Sequence, residues 1–131
     1  MTASGTGPLE TASPWVWSDA WVLAAIMMTA GDEGAALSRV VAAADAINHA
    51  ILMAEEVEPA VRRLLGVGLI AVLDRRYHLT GAGRILAEQC RGGMLDLVDD
   101  LLGRLALIPV REQVWSLEPG ELDQAVREAA R

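Results

Sequence analysis

Lysine and phenylalanine are absent from this chain of 131 residues, and cysteine and tyrosine occur once each, as Cys90 and Tyr77. A single cysteine excludes an internal disulfide framework and any cysteine-based zinc cluster, so the expected setting is reducing and cytoplasmic. With four tryptophans and one tyrosine as the only aromatics, the core has to be built almost wholly from aliphatic side chains. The hydrophobic share of 53% supplies enough of these for one domain. Trp15, Trp17 and Trp21 cluster near the N-terminus, where they are expected to act as anchors. Long apolar runs are missing as well. Residues 20–30 fall well short of the roughly 20 residues a spanning helix needs, and residues 40–54 are interrupted by Asp45, Asn48 and His49. The N-terminal residues carry no positive charge of the kind that opens a secretory signal. No membrane partner is expected.

The formal net charge is −7, and every basic side chain is an arginine. Phosphate neutralisation dominates binding to nucleic acids and anionic lipids, so this balance leaves room only for a local basic face. The excess is uneven. Nine acids stand against seven arginines over residues 19–91, and eight against four over 92–131.

Residues 1–14, rich in Ser, Thr, Gly and Pro, read as a flexible tail. Residues 15–91 read as the main domain, and 92–131 as a helical extension. Ser18 is the expected N-cap of a helix over 19–30, apolar on every side from 20 to 28 and closed by Gly31. A short strand over 35–37 follows. Ser38 then caps a helix over 39–50, where Val40, Ala44, Ile47 and Ile51 form one stripe. A third helix starts at Glu55 or Glu56 and ends by Gly66 or Gly68. It buries Val57, Val61, Leu64 and Leu65, and Pro59 falls near its start, where the missing N–H does little harm.

Residues 69–73 and 77–79 flank the charged turn Asp74-Arg75-Arg76 and predict a hairpin. Thr80 caps a helix over 81–90 that Gly92-Gly93 breaks. The next helix, over 94–107, places Met94, Leu95, Val98, Leu101, Leu102 and Leu105 on a broad apolar face and stops at Pro109. Pro119 suits the first position of a terminal helix with Leu122, Ala125, Val126 and Ala129 on one side. The fold class is mainly α, with one small hairpin.

The run Val61-Arg-Arg-Leu-Leu-Gly-Val-Gly-Leu-Ile70, the hairpin, and Tyr77-x-Leu79-Thr80-x-x-Gly83-Arg84 together resemble winged helix-turn-helix transcription regulators of the MarR and PadR type. The resemblance covers residues 36–90, and most of its residues have architectural jobs. Gly68 permits a sharp helix exit, Leu69, Ile70, Tyr77 and Leu79 turn inward, and Thr80 caps. It implies a three-helix core with a hairpin wing, and it implies double-stranded DNA as partner, bound by a homodimer. In such proteins the third helix enters the major groove and the wing touches backbone. Arg39, Arg62, Arg63, Arg75 and Arg76 are then the candidate DNA contacts. Met94, Leu95, Val98, Leu101, Leu102 and Leu105 are the candidate dimer face, unless that face packs on its own domain.

Glu55, Glu56 and Glu58 depart from the pattern. Acids at a helix start complement the helix dipole, but they repel phosphate. With the acidic balance they support an alternative, a winged-helix module that binds protein and not DNA. Asp45 and His49 stand one turn apart. The favoured reading of Asp45, Asn48 and His49 is that they fasten the turn after the second helix, with metal binding as the lesser alternative. Cys90 beside Arg91 is either inert packing or a reactive thiol. No nucleophile–histidine pair, phosphate loop or carboxylate dyad is present, so neither an enzyme nor a cofactor is expected.

Overall fold

The computed structural model describes residues 15–90 and 92–131, apart from the Met94 side chain. The expected flexible tail over 1–14, Arg91 and the Met94 side chain lie outside the described residues. Within them the chain is mainly helical, with six helices and one three-stranded antiparallel sheet. The order is α1 (Trp17–Thr29), β1 (Ala35–Ala36), α2 (Leu37–Asn48), α3 (Ala54–Gly66), β2 (Ile70–Leu73), β3 (Arg76–Leu79), α4 (Gly81–Gln89), α5 (Met94–Leu105) and α6 (Glu121–Ala129). The hairpin strands pair Ile70 with Leu79 and Leu73 with Arg76, and β1 adds to the other edge of β3 through Ala35 and Tyr77. No described helix is long and apolar enough to cross a membrane.

Helix α1 is the hub. Residues 19–26 are all buried, as its unbroken apolar surface requires, and it packs against α2, α3 and α5. Its tryptophans pin the surroundings. Trp21 Nε1 donates to the Ala44 carbonyl on α2 at 2.9 Å, and Trp17 Nε1 to Asp99 on α5 at 3.2 Å. Trp15 Nε1 donates to the Ile108 carbonyl just past α5, at 2.8 Å. The helix starts two residues before the expected position. Ser18 lies inside it, and the Asp19 carboxylate reaches back to accept from the Val16 N–H at 2.9 Å.

Asp19 is 0% exposed, the one buried charged residue among those described. Its two oxygens accept from Arg63 on α3 at 3.1 and 2.9 Å, so the pair clamps α1 to α3. An unpaired charge in that position is costly, which makes the pair obligatory once either member is present.

Helix α2 also starts two residues early, with Ala36 preceding it in extended conformation. It ends at His49, whose left-handed backbone N–H donates to the Asp45 carbonyl at 2.6 Å. This turn is therefore fastened by the His49 backbone; none of the side chains of Asp45, Asn48 and His49 has a hydrogen bond among the described residues. Helix α3 starts at Ala54, so Pro59 lies in its second turn and leaves the carbonyl of exposed Glu55 without an intrahelical donor. Water can serve that carbonyl. Glu56 Oε1 accepts from the Met53 N–H at 2.9 Å and closes the helix start.

The hairpin turn contains only Asp74 and Arg75, both with positive φ, which leaves Arg76 in the strand. Thr80 caps α4 by accepting from the Gly83 N–H at 3.1 Å. Gly83 is required by packing, because a Cβ there would run into the Leu69 carbonyl oxygen.

The extension over 92–131 shares the core of the main domain. Val98, Leu101 and Leu105 are fully buried in the same cluster as α1, so these three candidate dimer residues are occupied within the chain itself. Leu102 is half-buried, and only Leu95 of the described members is exposed. Helix α6 packs against α2 through Ala125. Asp19→Ala or Arg63→Ala is expected to cost about 3–5 kcal/mol in urea unfolding. Arg39→Ala, on an exposed site, should stay within about 0.5 kcal/mol. Equal small effects from all three would contradict the buried clamp.

Candidate functional site

Among the four sides of α3, the one turned away from α1 is where an inserted helix would meet a ligand. It is covered. After Pro109 the chain runs without helix or strand over residues 109–118, laid along α3, and only Glu55 within the helix is exposed. The Gln113 N–H donates to the Arg62 carbonyl at 2.9 Å, and Arg62 Nε donates back to the Trp115 carbonyl at 2.9 Å. The Leu117 N–H donates to Glu58 Oε2 at 2.9 Å. The Trp115 ring meets the buried Tyr77 ring edge-on, with centroids 6.2 Å apart. At the far end of α3 the arm passes so close that a Cβ on Gly66 would overlap the Arg111 carbonyl and crowd Glu112.

Two of the five candidate DNA contacts are thereby tied into the arm, and a third to the helix that follows it. Arg62 is held by Trp115 and lies 3.8 Å from Glu58. Arg63 pairs with Asp19, and its Nε, buried without a hydrogen bond, faces Glu112 Oε2 at 3.6 Å. Arg75, at the hairpin tip, reaches Glu121 at the start of α6, 3.4 Å away. Arg76 points back to the loop before β1, donating to the Glu33 and Gly34 carbonyls at 3.0 and 2.8 Å. Arg39 alone of the five is exposed with no hydrogen bond or ion pair among the described residues. The four that are held have partners on different elements: the arm, α1, α6 and the loop before β1.

The glutamates that contradict a DNA-reading helix have internal work. Glu56 closes the helix start and Glu58 clasps the arm, while Glu55 stays in solvent. The sequence signal was present, since acids in a first turn satisfy free N–H groups. What it does not carry is the identity of the Leu117 amide as the partner of Glu58.

Between the start of α3 and α6 lies an open trough of about 660 Å³, with Ile51, Met53, Leu117, Leu122 and Val126 along its apolar floor. Glu55, Glu58, Glu118 and Asp123 stand around it against the single Arg127, so its field is negative. Tyr77 is buried at the far side of the arm. Burial, reinforced by Glu121 and opposed by Arg75, pushes its phenol well above the usual range, so it stays neutral.

Cys90 is buried at the end of α4. Burial first, and Asp100 next, push its thiol up, against the lowering effect of Arg104. That suits packing and opposes thiolate chemistry. Among the described residues no group of three His, Cys, Asp or Glu side chains is arranged to hold a metal ion.

Comparison with protein-family models, characterised proteins and solved structures finds no match to this chain.

Gly66→Ala is expected to lift the arm at Arg111 while α1–α3 stay folded. Trypsin cleavage after Arg111 should accelerate roughly tenfold, equivalent to ~1.4 kcal/mol of lost seating, with helical circular dichroism unchanged. Without the clash the substitution has no means of loosening the arm, so an unchanged or slower cleavage would show that the close approach is absent.

Proposed function

We infer that this chain is a winged-helix protein-interaction module whose third helix is not available to DNA while the arm is seated. The winged-helix reading is supported by the order helix–strand–helix–helix–strand–strand and by the first strand pairing with the return strand of the hairpin. The resemblance of Tyr77-x-Leu79-Thr80-x-x-Gly83-Arg84 to MarR and PadR regulators points the same way. The observation that carries the functional reading is the arm itself, which turns Arg62, Arg63 and Arg75 into internal ties.

Binding to duplex DNA draws most of its strength from arginine and lysine replacing condensed counterions. Here the cations are spent on Glu58, Asp19, Glu112 and Glu121, and the surface beside α3 is acidic. An apolar trough ringed by carboxylates suits a protein partner that presents an apolar side chain flanked by basic ones.

The second reading, a homodimeric DNA-binding transcription regulator, is favoured by one observation, the fold order just described. It requires the arm to leave α3.

The two separate on a column of immobilised duplex DNA or heparin at about 0.1 M salt, where screening extends over roughly 10 Å. The chain is expected to pass through unretained. Retention that weakens steeply with salt, and that Arg62→Ala with Arg75→Ala abolishes, would establish the DNA reading instead.

A further inference from the structure

The arm is joined to the rest of the chain by a short hinge. Backbone hydrogen bonds extend the last turn of α5 to Ile108, and Trp15 holds the Ile108 carbonyl. The next close backbone contact is the Arg111 carbonyl against Gly66, so the hinge is Pro109 and Val110, of which Val110 packs partly against the core. Beyond the hinge, the ties of residues 111–121 to the rest of the chain run to α3 and the hairpin. They are those of Glu112 to Arg63, Gln113 and Trp115 to Arg62, Leu117 to Glu58, and Glu121 to Arg75. Helix α6 adds its packing on α2. No hydrogen bond or ion pair among the described residues runs from 111–121 back to α5.

We propose that residues 111–131 also seat in trans, so that two copies of this chain exchange arms, each arm lying on α3 of the other. The occupant of the α3 face is then a second copy. The surface is already complementary to that segment, and every contact made in cis forms again in trans. Exchange therefore gives up no tie, and the balance rests on the hinge and on concentration.

Two features favour the exchanged form. Pro109 stiffens the hinge, because its ring fixes φ where the chain leaves the turn at 106–108. The two most exposed large apolar side chains among the described residues are Leu107 at 84%, two residues before the hinge, and Val114 at 98%, four residues past it on the arm. In an exchanged pair the two hinges run side by side, which lets these groups cover one another. Opposing this, a tethered arm meets its own core at an effective concentration in about the millimolar range. Exchange is thus expected at protein concentrations approaching that range, and slowly, because all the ties of one arm must open together.

The proposal rests on the reading of the arm as the resident occupant of α3, and its test keeps the two apart. Glu55 and Glu118 line the same trough, and neither side chain ties the arm down. In a full-length chain carrying Cys90→Ser, Glu55→Cys and Glu118→Cys together, a short bismaleimide applied at high dilution is expected to link the two sites within one chain. Failure of that link would overturn the seated arm itself, and the exchange with it.

The deciding experiment mixes two full-length chains, both Cys90→Ser, one with Glu55→Cys and the other with Glu118→Cys. They are held near millimolar concentration, diluted, and treated with the same reagent. Arm exchange yields covalent heterodimers well above a control pair of Ile85→Cys with Glu118→Cys, since Ile85 is exposed on α4 and does not line the trough that Glu118 lines. Light scattering on the unmodified chain should show its mass rising from monomer toward dimer over the same concentrations. Heterodimers no more abundant than the control, with the intrachain link intact, would overturn the exchange alone.

Discussion

Asp19 is sealed from water between α1 and α3, and both of its oxygens are held by Arg63. Removing a carboxylate from water costs several kcal/mol, and only a well-placed cation with further hydrogen bonds offsets that. The Val16 amide supplies one such bond and Arg63 the others. This fixes the rotation of α3 about its axis. With Arg63 drawn inward at one edge, Val57, Ala60, Val61 and Leu64 face the core, and Glu58 and Arg62 are left where the arm can reach them. Glu112 then approaches the remaining face of the same guanidinium. A single arginine thus links the central helix, the third helix and the arm.

The charge distribution follows from this arrangement. The acids beyond residue 92 are not all a solvated surface, since Asp99, Glu112 and Glu121 each meet a partner on α1, α3 or the hairpin. The outcome is a chain in which five of the ten described arginines are ion-paired from within and whose accessible trough is negative. Under the proposed reading such a surface meets a polypeptide partner, and its accessibility depends on how firmly the arm is held.

Much of the fold was legible in the sequence because it depends on local signals. The paired apolar runs around Asp74 and Arg75 gave the hairpin, Thr80 gave the cap of α4, and the stripe through Val40, Ala44 and Ile47 gave α2, although Ile51, read as its continuation, is exposed beyond the helix end. Boundaries moved by two residues at α1 and α2, where Ser18 and Ser38 lie inside the helices and caps form from backbone or from Asp19. The candidate site was less legible. Periodicity placed Arg62 and Arg63 together on an outer face, yet one belongs to the arm and the other to a buried pair. The apolar face of α5 has the same pattern whether it meets a partner or its own α1, and Val98, Leu101 and Leu105 took the latter. The arm has no periodicity at all, because an extended segment bound through its backbone leaves no repeating trace in side-chain type. Only Gly66, tolerated in a helix for the sake of close approach, marks where it passes.

Residues 111–118 are fastened to α3 through their backbone. Amide hydrogen exchange of the intact chain at single-residue resolution tests this directly. The Gln113 and Leu117 amides, bonded to the Arg62 carbonyl and to Glu58, should exchange far more slowly than the same residues in an unstructured peptide. Exchange of both amides at unstructured-peptide rates, with the amides of α1 still protected, would show a folded core with a free arm and would contradict the account.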